Sequence, residues 1–143
     1  MSENKIFVFD QITVFFKHID VSGKVAHSNY FDWAGFAREA YFQDTVSNFR
    51  EVVSRPIKMM TVYMTHDIFE DAEFGDKIEV HLTTSKIKKF SFEMLLKYYR
   101  SNDKKLLCEG KQRVVFVDSR SEKFTFIPKE MMDVIVFYRE ELS

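Results

Sequence analysis

The sequence predicts an α+β domain in which a mainly antiparallel five-stranded sheet wraps around one long central helix. Three features point there. The 143 residues are 45% hydrophobic and include 16 Phe, a composition that builds a sizeable aromatic-rich core and is far from that of a disordered chain. One long segment is apolar on nearly every side at its start, which suits a helix that is surrounded rather than laid on a surface. Four consecutive strand-like segments follow it, joined by connections too short for parallel crossovers.

Residues 7–17 are β-branched and aromatic, with Ile12, Val14 and Phe16 on one face, and predict a first strand. A loop follows. From Asn29 onward a helix is expected, with Tyr30, Trp33, Ala34, Ala37 and Tyr41 on one stripe and Phe31, Phe36, Ala40 and Phe42 around the rest. Ser28 and Asn29 are of the types that cap a helix start. After Ser54-Arg55-Pro56 the period changes to two, and Met60, Val62 and Met64 alternate with Thr61, Tyr63 and Thr65 in a second strand. A loop through Phe74-Gly75-Asp76 leads to a third strand with Ile78, Val80, Leu82 and Thr84 on one face. Phe90, Phe92, Met94, Leu96 and Tyr98 mark the fourth, Ser101-Asn102-Asp103 a turn, and residues 106–118 the fifth. Pro128 is expected at the first position of a short C-terminal helix. Residues 1–143 read as a single domain, and its unpaired edge strands predict at least a dimer, either a homodimer or a homotetramer.

Composition also excludes functions. With 21 basic and 22 acidic side chains the net charge is −1, so the broad basic field of a nucleic-acid binder is missing. The 4 glycines are too far apart for either a dinucleotide fingerprint or a P-loop. Cys108 stands alone, and His18, His27, His66 and His81 show no zinc spacing, so neither a disulfide nor a metal site is expected. No run is apolar enough for a membrane span, and the opening MSENKIFVFD lacks the regions of a signal peptide, which predicts a cytoplasmic protein.

The stretch from Phe16 to Trp33 carries the chemistry. A carboxylate can attack or activate water, and backbone amides can hold an oxygen that becomes negative, the two kinds of group a hydrolysis needs. Asp20 supplies the first, and the free amides at the start of the helix near Ser28 and Asn29 supply the second. Gly23 lets the loop bend. Each residue also has a plainer role: Asp20 as a turn residue, His27 as a surface group, Glu39 as the partner of Arg38, and Lys86, Lys88 and Lys89 as a solvated turn.

The set Asp20, Gly23, Val25, His27, Tyr30 and Trp33, followed by Ala37-Arg38-Glu39, resembles the strand-to-helix motif of the hotdog-fold acyl-CoA thioesterases of the 4-hydroxybenzoyl-CoA thioesterase and YbgC-like group. That motif runs approximately D-x-x-G-x-V-x-H-x-x-Y, then an aromatic, then A-R-x-E. The resemblance implies an acyl-CoA thioesterase without a cofactor, with Asp20 and His27 catalytic and the backbone of His27 and Ser28 holding the oxyanion. It further implies substrate contacts from Gly23, Tyr30, Glu39, Lys86, Lys88 and Lys89, at a site shared between two subunits. His18 and Ile19 depart from the family pattern, where Thr or Cys usually precedes the acidic residue and an acid stands before that. The N-Y-x-x-W and R-E spacing is also similar to thioesterases of polyketide and enediyne assembly, so an acyl carrier protein is a second candidate carrier. A hotdog dehydratase acting on a hydroxyacyl thioester is a third reading.

Overall fold

The period-two segments of the chain pair into one antiparallel sheet, shown by a computed structural model that describes residues 5–140. Residues 1–4, on which part of the leader expectation rests, lie outside the described residues. The strands are β1 (Phe7–Thr13), β2 (Ile57–Ile68), β3 (Lys77–Ser85), β4 (Ser91–Arg100) and β5 (Lys105–Asp118), in the spatial order β1-β3-β4-β5-β2. The helices are α1 (Ser28–Thr45), α2 (Phe49–Ser54) and α3 (Lys129–Phe137). This is the α+β hotdog arrangement the sequence predicts.

Helix α1 packs on one face of the sheet because its stripe and the inward residues of β3, β4 and β5 need each other. Tyr30, Trp33, Ala34, Ala37, Tyr41 and Phe42 are buried on the helix, against Ile78, Val80, Leu82, Phe92, Met94, Leu96, Leu107, Val114 and Phe116 of the sheet. Burial of such side chains stabilises by about 1.5–3 kcal/mol each. The helix is not apolar all round in the folded chain, for Phe31 and Phe36 remain exposed. Cys108 on β5 is fully buried, and burial pushes its thiol up to about 12.

Four expectations are corrected. β1 ends at Thr13, and Phe16–His18 forms a single 3₁₀ turn, so Ile12 and Val14 are buried while Phe16 is exposed. The bonds Gly75 N–H to Val14 O and Val14 N–H to Asp76 O replace the ladder there. In β2 a register shift between Thr61 and Tyr63 switches the inward face. Met59 and Met64 therefore pack on the core, whereas Met60 and Val62 point outward. The segment after α1 holds the short helix α2, entered through Asn48 in the left-handed region at φ 58°. Pro128 is the residue before α3 rather than its first helical position.

Candidate active site

Between β1 and α1 the chain makes a loop held at several points. Ile19 pairs with Val25, the Asp20 amide donates to the Lys24 carbonyl at 2.8 Å, and Gly23 turns the chain at φ +84°, where a side chain would strain it. The Asp20 carboxylate organises this turn through Oδ1, which accepts from the Ser22 amide at 2.9 Å, the Ser22 hydroxyl and the Lys24 amide at 3.3 Å. These bonds, that of the Ser22 hydroxyl first, hold its pKa below the usual carboxylate range. Oδ2 makes no hydrogen bond among the described residues, and the side chain is exposed.

The helix start is not capped by Ser28 or Asn29, correcting that expectation. His27 occupies the position before the helix without a side-chain cap, and the Asn29 side chain instead donates to the carbonyls of His18 and Ala26, each at 3.0 Å. The amides of Asn29 and Tyr30 are used by Ala26 O and His27 O. Those of His27 and Ser28 donate to no group among the described residues. The loop thus delivers two unengaged N–H groups at the positive end of an 18-residue helix.

His27 lies 3.7 Å from Asp71, which Lys24 also approaches at 3.6 Å. Tyr30 is wholly buried: its hydroxyl accepts from the Ala72 amide at 3.3 Å, and burial pushes its pKa up to about 12. Its carbonyl accepts from the Tyr98 hydroxyl at 3.0 Å, and His66 Nε2 meets that same hydroxyl at 2.8 Å. Tyr30 therefore anchors the helix start in the core; its side chain does not face solvent.

A cleft of about 570 Å³ opens beside this junction, lined by Lys17, His18, Asn29, Trp33, Phe36 and Glu39 among others. His18, which the sequence marks only as a departure from the family pattern, is its buried polar group at 9% exposure. Burial lowers the pKa of its ring, with Lys17 adding to the effect. Glu39 sits on the rim, 61% exposed and 4.0 Å from Arg38 Nε, while the Arg38 guanidinium turns inward to Thr61 Oγ1 at 2.9 Å and Gln112 Oε1 at 3.0 Å. Arg38 is a largely buried cation that sequence reasoning paired only with Glu39; nothing in its spacing announces Gln112, 74 residues away.

The structure does not bring Lys86, Lys88 and Lys89 to Asp20 within one chain. They occupy the β3–β4 turn, where Ser91 follows, whereas the helix start meets Tyr98 at the far end of β4. From Phe92 to Tyr98 the strand spans about 20 Å. Lys86 Nζ lies 4.0 Å from the buried Glu93, and Lys88 and Lys89 are exposed.

The family model described as "Thioesterase-like superfamily" matches residues 14–135. Among solved structures, a 1,4-dihydroxy-2-naphthoyl-CoA thioesterase from Synechocystis superposes with a TM-score of 0.83 at 18% identity, covering 92% of this chain and 96% of the other. The dynemicin thioesterase superposes at 0.84 and 19% identity, covering 96% and 99%. A hypothetical protein from Staphylococcus aureus, solved in complex with CoA, superposes at 0.87 and 14% identity, covering 100% and 91%. No curated protein matches the sequence. No helix of the described residues is long and apolar enough to cross a membrane.

Proposed function

The chain belongs to the thioesterase-like superfamily and is a thioester hydrolase, and on that premise we propose that it cleaves acyl-CoA to the free acid and CoA with Asp20 as the attacking carboxylate. The observation that carries this reading is the loop junction, where an exposed Asp20 with one unengaged oxygen shares a short segment with the unengaged amides of His27 and Ser28. The hydrogen bonds on Oδ1 make Asp20 a weak base, so nucleophilic attack suits it better than proton abstraction from water. Attack by Oδ2 on the thioester carbon forms an acyl anhydride and releases the thiolate. Water then opens the anhydride and restores the carboxylate. The two amides hold the oxyanion in each step, a role typically worth about 10²–10³ in rate per donor.

Assembly completes the site in this reading. β2 is an edge strand that exposes Met60, Val62 and Tyr63, which favours pairing with β2 of a second copy in a homodimer or a pair of dimers. Its Ile57 end lies beside Asp118 and its Ile68 end beside Cys108, next to Tyr98 and the helix start. Antiparallel pairing swaps the ends, so the lysine turn of one copy approaches the Asp20 loop of the other and offers Lys86, Lys88 and Lys89 to the CoA phosphates. His27, Gly23 and Glu39 then border the thioester arm.

The test is Asp20→Asn, a nearly isosteric change that leaves the turn able to form. Thiol release from acyl-CoA should fall by about 10³-fold or more with KM little changed. Activity within about threefold of the parent overturns the assignment. Running acyl-CoA and acyl carrier protein side by side decides the carrier.

A further inference from the structure

Helices α2 and α3 and the first residues of β2 enclose a hollow of about 180 Å³ against α1. Its wall is apolar: Phe49 and Val52 of α2, Phe116 of β5 and Met131 of α3 are buried at 7% exposure or less, and the partly buried Ile57 and Met59 of β2 join them. The only polar side chains of its lining, Glu39 and Lys58, are both exposed. Arg55 ties α2 to α3, donating to Glu51 at 2.9 Å and to Glu130 at 3.2 Å, which fixes the spacing of the two walls. The cleavage step uses none of these apolar side chains.

We propose that this hollow receives the tail of the acyl group and selects plain hydrocarbon acyl groups of about six carbons, since a dry apolar cavity of about 150 Å³ takes up one benzene ring. With Glu39 and Lys58 both exposed, no side chain of the wall can pair a hydroxyl that has left water behind, so tails with a polar far end are disfavoured. The hollow lies at the Ile57 end of β2, the end that antiparallel pairing brings to the Asp20 loop of a second copy. Glu39, which borders the thioester arm in that arrangement, is part of its lining. The chain's own loop is too distant: from His27 to Glu39 the helix rises about 18 Å, and about six carbons joined by bonds of about 1.5 Å reach less than half of that. The tail therefore comes from a thioester held by the second copy, and the proposal rests on the hydrolase reading and on the β2 pairing.

The probes are S-alkylpantetheines, thioethers that are not cleaved and whose arm is common to CoA and acyl carrier proteins. Calorimetry should show affinity rising by up to about fourfold per methylene from S-ethyl to S-hexyl and then levelling off. A hydroxyl on the last carbon of the hexyl chain should weaken binding by about tenfold. Two variants move the limit in opposite directions. Val53→Phe, at a half-exposed position of the lining, fills the hollow and should bring the plateau back to S-butyl with S-ethyl binding unchanged. Met59→Ala, at a partly buried position, enlarges it and should carry the plateau on to S-octyl. A plateau at the same length in both variants, affinity that climbs without limit in the parent, a hydroxyl that costs nothing, or no binding of S-hexylpantetheine overturns the proposal. Thiol release from hexanoyl-CoA tests the hydrolase reading separately, because the thioethers report binding alone.

Discussion

Strands β4 and β2 flank β5 in the same sheet and face the same helix, yet they are finished differently. The inward residues Phe92, Met94, Leu96 and Tyr98 of β4 are at or near zero exposure. Those of β2, Ile57, Met59, Met64 and Ile68, are only partly buried, and a register shift splits them into two groups. The central strand is complete within one chain, whereas the edge strand carries surface that this chain does not cover. Burial is thus concentrated in the middle of the sheet, and exposed apolar surface at its rim.

Substitutions can sharpen that contrast. Leu82→Ala on β3, wholly buried, should cost about 3–5 kcal/mol in urea-monitored unfolding, while Met59→Ala on β2 should cost less than half of that in the monomer. Equal costs would erase the distinction. Gly110→Ala comes next. Gly110 pairs with His66 across β5 and β2, and a Cβ there would stand 2.5 Å from His66 Nε2, so one of them must move. A loss of about 1–3 kcal/mol is expected, recovered in part by adding His66→Ala, whose smaller side chain makes room.

Acid should single out β2 as well. His66 is held below its ordinary pKa chiefly by burial, with Asp67 opposing the shift. Unfolded chains take up the proton as pH falls through about 6.5, before the folded chain does, so the stabilisation is full above that pH and is lost as pH falls toward the lowered folded value. His18, lowered for the same reason, adds to the trend. Thermal melts between pH 7.5 and 5 should therefore show a declining Tm whose slope is shallower in His66→Gln, and an unchanged slope would remove His66 from the account. The smallest effect on folding is expected from Val62→Lys, an exposed β2 position, at within about 0.5 kcal/mol. Sedimentation should nevertheless report monomer where the parent associates; a variant that still dimerises would place the interface elsewhere.

Legibility followed the same division. In β3 and β4 alternation was enough, since both are covered on the inner face and nothing interrupts their period. β2 was misread where Met60 and Val62 alternate as well as any core pair, because a bulge changes face without leaving a mark in hydrophobicity. The end of β1 was missed because Phe16, a residue of strand type, closes a 3₁₀ turn whose stability comes from the Phe15–His18 contact. At the site, the motif located Asp20, Gly23 and His27 on one loop, while the engagement of Asp20 by Ser22 and the burial of His18 depend on three-dimensional packing that spacing does not encode. Arg38 and Gln112 meet only once the helix is seated in the sheet.

The buried Cys108 bears on how any of this is measured. Its thiol, pushed up to about 12 by burial, stays protonated and out of reach of aromatic disulfide reagents in the folded chain. Colour that develops when such a reagent is mixed with native enzyme and thioester therefore belongs to the released product, with no protein background to subtract. After denaturant is added the same single sulfur becomes a one-to-one titrant. Its slow labelling under native conditions would time the opening of the sheet where β5 passes between its neighbours.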